Sequence, residues 1–253
     1  DGTLVDQNGN FLPEVKTLIK KIQDKNVRFS LATGRAYYSS IKKIEDELNI
    51  RGIHIVHGGA MVFDSITNNV LFLEAISQES TRKIIKYLLS QKLIFSLEGK
   101  NHVYISEIVK SSLHYLDMIN KLLTEYNYNE KILKVVIYAK VNKLNESEIN
   151  FHLKNLQKIC SDISTHRFEF FSFFGADITS EKATKHTAVL EYFKILNISP
   201  DEVVAIGDGH NDYPLFTACG FGIAMAATAP KELKEIADLV VNDMIEALKY
   251  IES

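Results

Sequence analysis

No apolar run in the 253-residue chain reaches the roughly 18 to 20 residues that a membrane-spanning helix needs. The opening residues carry no basic stretch followed by an apolar core of the kind that directs secretion. Cysteine is scarce. Cys160 and Cys219 lie in apolar segments and form no metal-spaced pair, so they read as two buried thiols of a reducing compartment. The expected location is therefore the cytoplasm. An excess of one charge is missing as well, with 29 basic against 32 acidic residues and a net charge of -3. That balance excludes a nucleic-acid partner and an anionic membrane surface. Lys16, Lys20, Lys21 and Lys25 fit the solvated face of one amphipathic helix. Neither an internal repeat nor a low-complexity linker is present.

What is there is an ordinary globular composition, 46% hydrophobic, enough for a sizeable core. Pro13 opens a helical pattern with Val15, Leu18, Ile19 and Ile22 on one face. Val27 to Ala32 reads as a buried strand ending at Thr33-Gly34, followed by a helix through Ile41, Ile44 and Leu48 and a strand from Ile53 to Val56. This alternation predicts a parallel sheet with helices on both faces. The pattern then changes. A hairpin turns at Thr67-Asn68-Asn69 between Met61–Phe63 and Val70–Leu73, and a helix follows near Glu79 to Leu89. Strands are expected near Leu93 and Val103, a long helix through Leu113, Leu116, Ile119 and Leu123, and a strand from Leu133 to Ala139. A helix near Glu148 to Ile159 and a phenylalanine-rich strand from Phe168 to Phe174 close this region.

After Asp177 the first pattern returns: a helix from Ala188 to Leu196, a strand from Val203 to Ile206, a helix around Leu215 to Ala218, and strands at Phe221–Ala224 and Leu239–Val241. The fold class expected is α/β, a Rossmann-like parallel-sheet core (residues 1–58 and 178–253) carrying an inserted α+β domain (residues 59–177). An insertion of about 115 residues has the size of an independent domain.

Two polar segments follow directly on buried apolar strands, where the carboxyl ends of parallel strands form a ligand crevice. Ala32 delivers Thr33-Gly34-Arg35, and Ile206 delivers Gly207-Asp208-Gly209-His210-Asn211-Asp212. The glycines beside Asp208 allow a sharp turn and close backbone approach. Asp208 and Asp212 suit a hard cation such as Mg²⁺, and Asn211 can bond a carboxylate or phosphate without adding charge. Read alone, the segment is equally a polar turn capping the next helix. Thr33 can donate to a phosphoryl oxygen. Arg35 suits either substrate or a salt bridge at a helix start. His210 reads as a solvated loop residue, His54 and His57 as packing or hydrogen-bonding residues, and the phenylalanine run as packing. Gly220-Phe221-Gly222 lacks the third glycine and helix start of a dinucleotide fingerprint.

Together with Asp1-Gly2-Thr3-Leu4, these segments make the chain resemble the haloacid dehalogenase-like (HAD) phosphatases, and the insertion resembles the C2-type cap of their Cof-like subfamily. The resemblance implies Mg²⁺-dependent removal of phosphate from a small phosphorylated metabolite, most readily a sugar phosphate, through an aspartyl-phosphate. A phosphomutase or phosphotransferase, or an inactive metabolite-binding protein, is the alternative. It implies that Asp1 is the general acid/base and that its carbonyl ligates the metal. It makes Thr33 the phosphate-binding hydroxyl, and Asp208 and Asp212 the metal carboxylates, with Asn211 completing their motif. Gly34 and Arg35 would join Thr33 and Asn211 around the substrate. The motif lysine is assigned to Lys185, ahead of the helix from Ala188, with Lys182 as competitor. The nucleophilic Asp would stand just ahead of Asp1, outside this sequence. The cap would cover the site and select substrate. Departures are His186 after the lysine, Gly58-Gly59-Ala60 where Asn-Gly-Ala is common, and no Gly-Asn after Met225.

Overall fold

The computed structural model describes every residue except 1, 6–9, 108–118 and 171–172. In chain order the elements are α1 (Pro13–Gln23), a π-turn (Tyr37–Ile41), α2 (Lys42–Leu48), β1 (Ile53–Val56), β2 (Met61–Asp64), β3 (Asn69–Leu73), α3 (Gln78–Ser90), β4 (Phe95–Gly99), β5 (His102–Ile105) and β6 (Ile119–Leu122). Then come β7 (Ile132–Tyr138), α4 (Ala139–Asn142), α5 (Glu146–Ile159), β8 (Ile163–Phe170), β9 (Phe173–Ser180), α6 (Lys185–Leu196), β10 (Val204–Gly207), α7 (Tyr213–Ala218), β11 (Phe221–Met225), α8 (Lys231–Ile236), β12 (Leu239–Val241) and α9 (Met244–Glu252).

The mixed α/β class expected from the sequence is what forms. β10, β11 and β12 are parallel neighbours, as short apolar strands separated by helices require. Helices α6, α7 and α8 cover them through Ala188, Val189, Phe193, Leu215, Phe216 and Leu233. On the other side α1 packs Val15, Leu18, Ile19 and Ile22 against Leu48 and Leu248. Pro13 starts α1 with a preset φ, and Asp243 caps α9 by accepting the Glu246 N–H at 2.9 Å.

Residues 27–32 depart from the expected strand. They form only a bridge from Ala32 to Ile55, with Thr33 N–H on the Ile55 carbonyl and Ile55 N–H on that of Leu31. The Leu31 N–H goes instead to Nδ1 of buried His54, at 3.1 Å. That bond fixes the imidazole with its proton on Nε2, which points at Glu45. Burial alone would raise the Glu45 carboxyl, but the neighbouring His54 ring and the Ser65 and Tyr37 hydroxyls hold it below the usual range. Between residues 27–33 and β10 lies a cavity of 730 Å³ with apolar walls, including Phe29, Leu31, Val204 and Ile206.

β1, β2 and β3 form an antiparallel sheet, so the hairpin expected from the sequence continues β1. The second body is a six-stranded sheet of order β6-β5-β4-β7-β9-β8. α3 and α5 cover one face of it, burying Ile84, Leu88, Leu153 and Leu156 against Phe95, Leu97, Val135, Ile137 and Ile178. Asn145 and Glu148 close a reciprocal capping box at the start of α5.

Two sequence expectations are corrected here. The helix through Ile119 and Leu123 is a strand, β6, which runs parallel to β5, followed by a single 3-10 turn from Leu123 to Glu125. Pairing with an exposed sheet edge satisfies its backbone and overrides the apolar spacing. Leu113 and Leu116 lie outside the described residues. The phenylalanine-rich stretch is no single strand but the facing ends of β8 and β9, paired in antiparallel register from Ile163↔Ser180 to Phe170↔Phe173. β9 runs on past Asp177 to Ser180, so the sheet crosses the expected division at 177 and 178.

Candidate active site

The loop after β10 is built around Asp212. Its Oδ2 accepts the N–H groups of Asp208 and Gly209, each at 3.0 Å, which folds the loop back on itself. A Cβ on Gly207 would meet the Asp212 side chain at 2.7 Å, so this tight return demands glycine. The other oxygen, Oδ1, accepts from Lys185 Nζ at 2.5 Å, with both side chains buried. Both Asp212 oxygens are thus engaged by donors, and the carboxylate orients the lysine.

Lys185 is the first residue of α6. The Thr184 hydroxyl caps the helix by accepting the Thr187 N–H at 3.0 Å. The loop 57–60 packs directly on this helix start. Gly59 has φ +103°, and a Cβ there would overlap the Thr184 carbonyl oxygen and lie 2.7 Å from the Lys185 nitrogen. Gly59→Ala is therefore expected to cost about 1–3 kcal/mol in backbone strain and to displace Lys185. Denaturant midpoint and kcat for the variant, measured together, check both effects. Lys182, the competing lysine, is exposed.

Thr33 sits at the end of the 27–33 segment, tied by its N–H to Ile55 and by its carbonyl to the Gly58 N–H at 2.9 Å. Its Oγ1 accepts the Arg35 N–H at 3.1 Å, which leaves the hydroxyl hydrogen to donate outward. The Gly34 carbonyl accepts from Lys134 of β7, at 3.1 Å, and the Arg35 carbonyl from the His57 N–H.

The N-terminal motif reaches the same place. The Thr3 hydroxyl bonds Asp208 Oδ1. Gly2 has φ +75° and lies against the same carboxylate, where a Cβ would overlap Oδ2. Thr3 is a site residue that sequence reasoning did not single out, though its place beside Asp1 and Gly2 was a signal. Asp1 itself lies outside the described residues.

Thr3, Thr33, Gly34, Arg35, Lys185, Asp208, Asn211 and Asp212 all border the 730 Å³ cavity. The candidate residues that are described therefore converge, although they come from four separate stretches of the chain. His210 and Asn211 are exposed. Among the described residues, no three or more His, Cys, Asp or Glu side chains cluster so as to hold a metal. Burial pushes the Asp208 carboxyl above its usual range, the Thr3 hydroxyl pulls it back, and the Asp212 charge adds to the rise. A half-buried carboxylate beside a second one is a donor set that a hard divalent cation would relieve.

A Buchnera aphidicola (subsp. Schizaphis graminum) protein is 30% identical over 87% of this chain and 79% of its own length. The phosphatase YwpJ of Bacillus subtilis is 24% identical, covering 95% and 91%. The HAD subclass IIB sugar phosphatase BT4131 superposes with a TM-score of 0.77 over 99% of this chain and 95% of its own, at 19% identity. The model of the haloacid dehalogenase-like hydrolases matches residues 1–246. By that match, with the strand-end site as its chemical counterpart, the chain belongs to the haloacid dehalogenase-like hydrolase family.

Proposed function

We propose that this hydrolase removes phosphate from a small phosphorylated metabolite, a sugar phosphate first among them, with Mg²⁺ as cofactor. The observation that carries the reading is the convergence of Thr33, Lys185 and Asp208 on one cavity end, with Lys185 fixed by a buried carboxylate. A phosphate monoester repels nucleophiles through its anionic oxygens, so catalysis needs donors and positive charge around the phosphoryl group. Thr33 supplies a hydroxyl donor. Lys185 has three N–H groups and gives one to Asp212, so two can face phosphate oxygens. Asp212 holds that ammonium in place and shapes the loop that presents Asp208.

Asp208, with Asp1 and Asp212, would hold the Mg²⁺, which when bound contributes Lewis-acid charge at the phosphoryl oxygens. In the same reading Asp1 protonates the leaving alcohol and then activates water. In that reading the phosphoryl group is carried between the two half-reactions as an aspartyl-phosphate. The division into a core (1–58 and 178–253) and a cap (59–177) belongs to this reading too. The packing of β5 against Ala36 and the Lys134 bond to Gly34 support a cap lying over the site.

The test is phosphate release by the full-length protein from sugar phosphates, nucleotides and p-nitrophenyl phosphate, with Mg²⁺ and with EDTA. Release that disappears with EDTA is the expected outcome. Formation of an isomeric sugar phosphate without net release would make it a mutase instead. No turnover of any member of the panel would overturn hydrolysis.

A further inference from the structure

Glu45 and His54 form a buried polar pair that the proposed reaction does not use. His54 is 0% exposed and Glu45 1%. The Glu45 carboxylate, on α2, accepts the Tyr37 and Ser65 hydroxyls and stays ionised at neutral pH. The His54 ring, on β1, lies nearly parallel to the Tyr37 ring, with centroids 6.4 Å apart. Its Nε2 is 3.7 Å from Glu45 Oε1, beyond a good hydrogen bond. The carboxylate therefore acts on the ring through its charge, which favours the proton on Nε2. Nδ1 is left as an acceptor, and it takes the Leu31 N–H at 3.1 Å.

Taking an imidazole and a carboxylate out of water is costly, and apolar side chains of the same volume often serve stability as well or better. Stability is therefore a poor account of the pair. Its place beside the Thr33 segment is a better one. Bonds to two successive β1 residues tie down the backbone of that segment. Leu31 N–H goes to His54 Nδ1, the Leu31 carbonyl accepts from Ile55 at 2.8 Å, and Thr33 N–H goes to the Ile55 carbonyl at 2.9 Å. The Ile55 bonds join backbone to backbone, whereas the His54 bond is set by a side chain. The other edge of the segment borders the 730 Å³ cavity, and no strand among the described residues supports it from there. Two residues beyond Leu31, the Thr33 hydroxyl faces the site with its hydrogen free to donate.

We propose that His54 is a positioning residue for phosphoryl binding: oriented by Glu45, it holds the Leu31 amide and so sets the place of the Thr33 hydroxyl. This role rests on the phosphatase reading, in which Thr33 binds the phosphoryl group, and names what keeps that hydroxyl in register. His54 touches no reacting atom and acts through Thr33 alone. A donor displaced by about 1 Å loses most of its worth to a transition state, roughly a hundredfold in rate at the extreme. Asparagine at this position would put Oδ1 where the imidazole has Nδ1, so it keeps an acceptor for Leu31 while losing the ring and the group that faces Glu45. Leucine loses all three.

The test is a double-mutant cycle in the full-length protein with Mg²⁺ and p-nitrophenyl phosphate. It compares kcat/KM for the wild type, Thr33→Ala, His54→Leu and His54→Leu/Thr33→Ala, with His54→Asn beside them and thermal melts for all. If His54→Leu does not fold, His54→Gln takes its place, since its amide reaches toward Glu45 and leaves Leu31 without an acceptor. Thr33→Ala and His54→Leu should each lower kcat/KM about tenfold or more, the scale of one hydrogen bond to a charged group. The double variant should be no worse than Thr33→Ala. His54→Asn should recover most of the turnover without recovering the melting temperature, which a purely structural role would not allow. Losses that multiply in the double variant, or full turnover in folded His54→Leu or His54→Gln, would overturn the positioning role and leave the phosphatase intact. Absence of turnover by the wild type would overturn the phosphatase reading and the positioning role with it.

Discussion

Lys185→Met should be the most damaging single substitution in this protein, in stability and in activity. The Lys185 ammonium and Asp212 carboxylate are both buried and 2.5 Å apart. Removing the lysine leaves Asp212 Oδ1 charged and without its donor, a loss of about 3–5 kcal/mol for a buried pair broken on one side. The same ammonium is the only lysine among the described residues that borders the site cavity. Loss of a preorganised charge at a developing oxyanion costs roughly a hundredfold to a thousandfold in kcat. The two effects separate in the double variant Lys185→Met/Asp212→Asn. The amide oxygen of the introduced asparagine can still accept the N–H groups of Asp208 and Gly209, while the orphaned charge is gone. Urea unfolding should show most of the lost stability restored, and phosphate release should stay at the level of the single variant. Recovery of turnover in the double variant would show that Lys185 acts only through the loop it holds.

Asp208→Asn should raise the stability of the metal-free protein while abolishing turnover. The Asp208 carboxyl titrates higher in the folded chain than in the unfolded one, through burial first and the Asp212 charge besides. In the interval between those two values the native state binds more protons than the unfolded state, so stability falls as pH rises through it. The loss is complete at neutral pH and absent below the unfolded value of roughly 3.9. Asparagine removes that term and keeps an oxygen for the Thr3 hydroxyl. Thermal melts in EDTA should therefore place the variant above the wild type at pH 7, with the gap closing toward pH 3. Added Mg²⁺ should raise the wild-type midpoint and leave the variant unmoved. Lewis-acid assistance is worth several kcal/mol, so kcat should fall by about a thousandfold or more. A variant that is less stable than the wild type at pH 7 in EDTA would contradict the strain assigned to Asp208.

Much of the candidate site was legible because short polar motifs stand at the ends of apolar strands, and parallel topology brings such ends together. Thr33 and Asp208 were readable in that way, and Lys185 only through the family resemblance, which calls for a lysine ahead of the helix from Ala188. Thr3 and Gly59 were not, since their roles are close approaches across the fold, to Asp208 and to the Thr184 carbonyl. The task of His54 was hidden for another reason. A histidine within an apolar strand reads as packing or hydrogen bonding, and only the tertiary structure supplies its neighbours, the Leu31 amide and the Glu45 carboxylate. The segment through Ile119 misled because apolar spacing cannot reveal an available sheet edge. The strand expected at 27–32 failed at its partners: its backbone reaches only Ile55 and the ring of His54.

One measurement reaches the account most directly: titration calorimetry of inorganic phosphate, the product, into the full-length protein with and without Mg²⁺. If Thr33, Lys185 and the cation carried by Asp208 hold one phosphoryl group, phosphate and Mg²⁺ must strengthen each other's binding by the same factor. Lys185→Met must weaken phosphate binding in both conditions. Phosphate affinity that ignores both Mg²⁺ and the loss of Lys185 would contradict a shared phosphoryl site.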